Sequence, residues 1–76
     1  MEMTPEQCRA ARALIGMTQP ELAKTAGLGL STIVDFEKTR RALPEATRIK
    51  LKEALEASGV IFIEENGGGI GVRIKK

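Results

Sequence analysis

The segment from residue 17 to residue 37 constrains the fold more than any other part of the chain. Thr18 stands three residues before Glu21, the spacing of a capping box, in which each residue bonds to the other's backbone at the start of a helix. Apolar residues at helical spacing follow, and Gly27 supplies the left-handed conformation that ends many helices. A second apolar stripe includes Ile33 and Phe36. Because the link is so short, the segment predicts two crossing helices, at residues 19–26 and 30–38, in a helix-turn-helix.

Another helix is predicted before this unit. Thr4 is suited to be its N-cap, Pro5 to be its first helical residue, and Gln7 completes a second capping box. Gly16 is expected to end the helix. Its apolar residues predict a buried stripe that consists of Cys8, Ala11, Leu14 and Ile15.

A fourth helix is predicted at residues 44–58. Pro44 favours a helix start, and Gly59 is placed to end the helix. Ile49 lies on nearly the opposite side from the others and is expected to be exposed. One face of this helix carries Thr47, Leu51, Ala54, Leu55 and Ser58.

The C-terminal tail changes from helical spacing to the alternation typical of strands. Residues 60–65 form a run that begins with four β-branched or aromatic residues and ends with two glutamates. Residues 66–69 can turn the chain, and residues 70–75 alternate with period two. A turn of two or four residues would place Ile61 and Ile63 on the same face as Ile70, Val72 and Ile74. The sequence therefore predicts a mainly α protein with four helices, at residues 1–59, and a β-hairpin at residues 60–76 for packing or dimerisation.

Composition limits the chemistry that the chain can perform. The 76 residues contain one cysteine, Cys8, and no histidine, so we expect no disulfide, no transition-metal site and no cofactor. The same absence removes histidine-based acid–base catalysis, and we do not expect an enzyme. Cys8 is expected to be a small buried hydrophobe. Without a signal peptide or membrane span, the expected location is the cytoplasm, with no membrane partner.

The glycines of residues 67–71 invite comparison with a phosphate-binding loop. No strand–loop–helix unit surrounds them, and no Lys-Ser or Lys-Thr pair follows. We therefore interpret this run as turn chemistry.

Positive charge is concentrated in one part of the sequence. Between residues 38 and 52 only Glu45 opposes six of the twelve basic residues, which are Lys38, Arg40, Arg41, Arg48, Lys50 and Lys52. A local excess of positive charge just after a helix-turn-helix is typical of a phosphate-binding surface. The alternative is a solvated charged face without a ligand.

Glu37 is predicted to lie on the buried side of its helix, beside Ile33 and Phe36. Burying a charged carboxylate costs roughly several kcal/mol of folding free energy unless a cation pairs with it. Arg12, at the border of the first helix's stripe, is the expected partner. We predict an ion pair between Arg12 and Glu37.

Residues 4–58 resemble the Cro and phage-repressor type of helix-turn-helix domain, also called the XRE family. This resemblance implies a lambda-repressor-like, double-stranded-DNA-binding domain that acts as a dimer on a palindromic operator. Arg12 and Glu37 also fall where that family often has a buried salt bridge. The matching residues are Leu14, Thr18-Gln19, Glu21-Leu22-Ala23, Gly27-Leu28, Ser31-Thr32-Ile33, Phe36-Glu37 and Arg40-Arg41.

The resemblance also implies roles for individual residues. Gln19 would bind phosphate at the start of the second helix. Thr32 and Lys38 would lie near the DNA backbone, and Arg40 and Arg41 would clamp phosphates. The residues expected to face the bases are Leu30, Ser31, Val34 and Asp35.

Two functional hypotheses follow from these sequence features. The first is a transcriptional regulator, expected to be a repressor, that places residues 30–38 in the major groove as a homodimer. The second is a protein-interaction module, such as an antitoxin or the partner of another regulator, that uses the third helix and the hairpin. The residues expected to form the dimer are Ile61, Phe62, Ile63, Ile70, Val72 and Ile74.

Overall fold

A computed structural model describes residues 1–75. This part of the chain is mainly helical and ends in a two-stranded antiparallel hairpin. The predicted element types and order are confirmed; the helix ends agree to within one residue, whereas both strands are shorter than predicted. The elements are α1 (Pro5–Ile15), α2 (Gln19–Ala26), α3 (Leu30–Glu37), α4 (Glu45–Ala57), β1 (Val60–Ile63) and β2 (Gly71–Ile74).

Both predicted capping boxes are present. The backbone N–H of Gln7 donates to Thr4 Oγ1 at 3.1 Å, and that of Glu21 donates to Thr18 Oγ1 at 3.2 Å. In each box the side chain of the third helical residue accepts from the N-cap backbone in return. Local sequence therefore fixes where α1 and α2 begin.

Each of the four helices and β1 contributes buried side chains to the core, and β2 packs against the edge of that core. The largest fully buried apolar side chains are Leu22 from α2, Ile33 from α3, and Leu51 and Leu55 from α4. The prediction for α1 was wrong at Leu14, whose residue is 42% exposed. Successive helical residues are about 100° apart, so Leu14 lies about 120° around the helix from the buried Cys8. It therefore falls outside the narrow buried stripe that contains Cys8 and Ala11.

The predicted strand faces were also wrong. In the hairpin Val60 pairs with Ile74 and Phe62 pairs with Val72, so these four side chains share one face. Ile61 and Ile63 lie on the other face, opposite Arg73 and Gly71. The loop at residues 64–70 contains an odd number of residues, whereas a turn of two or four residues would have given the opposite pairing.

This register changes the expected dimer surface. Val60 is buried in the core, and Phe62 and Val72 pack against that core from the helix-facing side of the hairpin. Phe62 and Val72 are thus used within the chain, contrary to their predicted availability for dimerisation. Three other predicted dimer residues are more than one-third exposed: Ile61, Ile70 and Ile74.

Gln7 joins α1 to the loop end of the hairpin. Its Nε2 donates to the carbonyl oxygens of Ile63 at 3.2 Å and Gly71 at 3.1 Å, while its Oε1 accepts from the Thr4 backbone. Gln7 is 3% exposed. The hairpin is therefore docked on α1 through a buried amide as well as through apolar contacts.

Candidate nucleic-acid interface

The turn between α2 and α3 sets the position of the proposed recognition helix. Gly27 ends α2 at φ 70°, and its N–H and that of Leu28 close the last turn on the carbonyls of Lys24 and Ala23. Gly29 is the N-cap of α3 and provides no side-chain hydrogen bond. The start of α3 therefore lacks the side-chain cap that α1 and α2 have.

One face of α3 anchors the helix from behind. Ile33, Phe36 and Glu37 are buried on this face, in contact with the core formed by α1, α2 and α4. A helix of eight residues is too short to be stable alone, so these contacts hold it in place.

Glu37 is the polar centre of that anchor, and the predicted ion pair with Arg12 is present. Arg12 Nε donates to Glu37 Oε2 at 2.7 Å, and Nη2 donates to Oε1 at 2.6 Å, a bidentate pair. Gln19 Nε2 donates to Oε1 at 2.9 Å, and Cys8 Sγ donates to Oε2 at 3.1 Å. Arg9 also donates to the Glu37 backbone carbonyl. The carboxylate thus joins α1, α2 and α3.

The electrostatics of this cluster keep its carboxylate charged and its thiol protonated. Burial alone would raise the pKa of Glu37, but hydrogen bonds from Arg12, Cys8 and Gln19 and the charge of Arg12 outweigh it, and the pKa lies below its ordinary value. The hydrogen bond to Glu37 raises the pKa of Arg12. Burial, with a further contribution from Glu37, raises the pKa of the Cys8 thiol well above its ordinary range. Cys8 is therefore a buried hydrogen-bond donor and not a nucleophile.

The opposite face of α3 is open to solvent at its start. Leu30 is 46% exposed and Ser31 is exposed, while Val34 and Asp35 are half-buried. These four residues recur at helical spacing and therefore share one face. Thr32 is half-buried beside them. The predicted base-facing residues are thus brought together on an accessible surface.

The end of α3 turns sharply and leads into a basic loop. Thr39 has φ 60°, and its N–H donates to Phe36 O while that of Arg40 donates to Asp35 O, the two bonds of a Schellman motif. A threonine in this conformation is strained, since glycine usually occupies the position. Arg40 and Arg41 follow it and are exposed, as is Lys38 before it.

Two of the six clustered cations have partners within the chain. Arg48 Nη1 donates to Leu43 O at 2.8 Å, and its Nη2 lies 3.7 Å from Glu2 Oε2. Lys52 Nζ forms an ion pair with Glu56 at 2.8 Å. These two side chains belong to the fold and contribute little to a phosphate-binding surface.

The other four cations of the cluster form no ion pair within residues 1–75: Lys38, Arg40, Arg41 and Lys50. Three of them lie at or just beyond the end of α3. Asp35 is the acidic residue of the accessible face, since Glu37 is buried and paired with Arg12. The accessible face of α3 therefore carries a positive flank at its C-terminal end.

Gln19 differs from its predicted role in one respect. Its side-chain amide donates to Glu37 and so is engaged within the protein. Its backbone N–H forms no hydrogen bond within the described part of the chain, Pro20 has no N–H, and that of Glu21 is capped by Thr18. The start of α2 thus offers a phosphate group one backbone donor.

Sequence reasoning missed the donors that surround Glu37 other than Arg12. Nothing in the spacing of Cys8, Arg9 or Gln19 marks them as its neighbours, because their proximity depends on how the helices cross. A buried carboxylate with two oxygens needs more than one donor, and that requirement was the one available signal.

Residues 1–75 contain no group of three or more side chains that could together hold a metal ion. Over the same residues, no helix combines the length and the apolar character needed to cross a membrane. Comparison of the sequence with models of known protein families and with curated proteins found no match.

Proposed function

We propose that this chain is a DNA-binding transcriptional regulator with a lambda-repressor-like helix-turn-helix fold, which places α3 in the major groove. The observation that carries the proposal is the arrangement around α3. One face is anchored by Ile33, Phe36 and Glu37, the other is accessible, and unpaired cations flank its end. A short, rigidly held helix beside phosphate-binding groups has the geometry that base readout requires.

The accessible face of α3 suggests how sequence would be read. Asp35 can accept a hydrogen bond from cytosine N4, and Leu30 and Val34 can contact a thymine methyl group. Ser31 can donate or accept at a base edge. We expect changes at Ser31 or Asp35 to alter sequence preference without abolishing binding.

The residues around that face are proposed to position the helix on the phosphates. Lys38, Arg40 and Arg41 would bind phosphate at one end of α3, with Thr32 near the backbone. Gln19 would contribute its backbone N–H, since its side chain is bound to Glu37. Phosphate contacts of this kind set orientation and carry no sequence information.

The experiment that tests this function measures binding to duplex DNA by fluorescence anisotropy over a range of salt concentrations. Replacing Arg40 and Arg41 with Gln should weaken binding to all sequences and lower the slope of log affinity against log salt by about two. Lys24→Gln combined with Lys50→Gln is the matched control, because both side chains are exposed, form no ion pair within residues 1–75 and lie outside the proposed contacts. Equal losses for the two double variants would count against the assignment.

We further propose that the regulator is a homodimer that forms through the hairpin. Ile61, Ile70 and Ile74 are 38%, 47% and 37% exposed, and each strand of a two-stranded sheet leaves one edge unpaired. A second copy could cover these side chains and place two α3 helices about 34 Å apart, one turn of DNA.

Sedimentation equilibrium tests the dimer. Ile61→Asp combined with Ile70→Asp should shift the chain towards monomer, since each change places a charge in the proposed interface. Ile49→Asp is the control, because Ile49 is similarly exposed but lies on α4. A wild-type chain that is monomeric at all concentrations would contradict the dimer but not the DNA contact.

A second candidate function is binding of another protein through α3. Leu30 at the start of the helix is 46% exposed, and Asp35 gives the same face an acidic residue, which phosphate repels. An antitoxin or regulatory partner could use this surface. Salt-insensitive or absent DNA binding, with a stoichiometric complex with another protein, would favour this candidate.

A further inference from the structure

A cavity of about 390 Å³ lies where the N-terminal residues cross the loop between α3 and α4. Its floor is apolar: Met3, Phe36 and Leu43 are 2%, 3% and 3% exposed, and Pro5 is half-buried beside them. The volume falls within the range of about 300–1,000 Å³ that small-molecule sites occupy. None of the contacts described for the DNA interface uses this floor.

The rim of the cavity is charged. Arg41 lines it, is exposed and has no ion-pair partner within residues 1–75. Arg48 also lines it, bound to Leu43 O and 3.7 Å from Glu2. The Glu2 side chain is 75% exposed, so water and salt weaken this long ion pair. The one acid at the rim is therefore loosely held, and one guanidinium is free.

Three loop residues that line the cavity also carry unused backbone donors. The N–H groups of Arg41, Ala42 and Leu43 form no hydrogen bond with another residue of the described chain. Thr39, at φ 60°, reverses the chain just before them and also lines the cavity. An apolar floor beneath several unused donors suits a ligand with an apolar body and one negatively charged acceptor.

We propose that this cavity binds a small amphipathic anion, an apolar group that carries one carboxylate, with the carboxylate on Arg41. The apolar group would rest on Met3, Phe36 and Leu43, and the carboxylate would lie at the rim that also carries Glu2, whose like charge opposes it. If the proposed DNA contact is correct, the same ligand would lower DNA affinity, because a carboxylate and a phosphate would compete for Arg41. This second step rests on the proposed function; the binding step does not.

Calorimetric titration of the full chain, without DNA, tests the binding step. The probe is 3-phenylpropanoate, and 3-phenylpropanamide is its uncharged analogue. We expect the carboxylate to bind with a dissociation constant of about 1 mM and the amide to bind about tenfold more weakly. Equal affinity for the two probes would overturn the proposal. So would the absence of binding heat from the carboxylate at concentrations up to about 10 mM.

Three exposed positions provide the variants, so folding is not at stake. Arg41→Gln should weaken carboxylate binding about tenfold, whereas Lys50→Gln, an equal loss of charge outside the cavity, should not. Glu2→Gln should strengthen binding severalfold, because it removes a like charge from the rim of the cavity. Equal effects of Arg41→Gln and Lys50→Gln would show non-specific attraction and overturn the site.

A final measurement separates this proposal from the proposed function. The dissociation constant for duplex DNA is measured by anisotropy with and without saturating 3-phenylpropanoate, using sodium chloride to hold ionic strength constant. A severalfold loss of DNA affinity supports the competition, and unchanged affinity overturns it. If the chain binds no DNA at all, the proposed function fails while the calorimetric result still decides the cavity.

Discussion

Glu37 shows at the scale of one residue how the fold positions α3. Glu37 is 1% exposed. Burying its charged carboxylate without hydrogen-bond donors would cost roughly several kcal/mol. Arg12, Gln19 and Cys8 supply them from α1 and α2, so both oxygens are satisfied. Each donor has to remain in place for the charge to be tolerated, and the angle of α3 to its neighbours is thereby fixed.

The lowered pKa of Glu37 makes its contribution to stability dependent on pH. Because the folded pKa lies below the unfolded value, this contribution is present in full above about pH 4.3 and is lost as pH falls through the folded pKa. We expect Glu37→Gln to reduce the free energy of unfolding by about 3 kcal/mol at pH 7. The difference from the wild-type chain should then shrink in acid. Urea unfolding of both chains, from about pH 2 to about pH 7, measures how this difference in free energy changes with pH.

Glu53→Gln is the control for this prediction. Glu53 is exposed on α4 and forms no ion pair with another described residue. We therefore expect Glu53→Gln to change the free energy of unfolding by less than about 0.5 kcal/mol at any pH. A Glu37→Gln difference that stayed constant from neutral to acid pH would mean that the carboxylate is not the titrating group.

At the scale of elements, the sequence predicts what local chemistry decides. Thr4, Thr18, Gly16 and Gly27 mark the ends of α1 and α2 because capping depends on residues within one turn. The ion pair of Glu37 was predictable because a carboxylate on an apolar face needs a cation. Its other donors were not, because they are set by how the helices cross.

The hairpin register could not be predicted from strand alternation alone. Glu65 accepts from the backbone N–H groups of Gly67 and Gly69, and Asn66 accepts from that of Gly68. The bonds from Gly67 and Gly69 lower the pKa of Glu65. Together the three bonds stabilise a long loop in place of a tight turn. They occupy the glycine N–H groups that a phosphate would need, which supports the interpretation of this run as turn chemistry.

Gln7 provides the test of how α1 and the hairpin are joined. Gln7→Glu keeps the acceptor of the capping box but removes both donors to Ile63 and Gly71, and it places a negative charge beside their carbonyls. We expect a loss of about 2 kcal/mol in the free energy of unfolding. Glu21→Gln is the reciprocal control, because Glu21 has the same place in the box of α2 and is exposed. Equal losses for the two variants would show that Gln7 acts only as a cap.

At the scale of the whole molecule, the hairpin belongs to the same packed unit as the helices. Val60 is 3% exposed, and Phe62 and Val72 pack against the core from the hairpin's inner face. Together these side chains contribute about 5 kcal/mol of apolar burial, which is comparable with the whole stability of a small domain. The predicted boundary after residue 59 therefore separates two kinds of secondary structure within one core.

Removal of residues 60–76 should for this reason abolish cooperative folding of the helices. The expected result is a chain without a sigmoidal thermal transition in circular dichroism, since α1 and α4 would lose their cover. Ile49→Ala is the control, because Ile49 is exposed on α4 outside the hairpin and its loss should cost less than about 1 kcal/mol. A truncated chain that melts cooperatively near the full-length temperature would show that the helices form a domain without the hairpin. The hairpin would then be free to serve dimerisation alone.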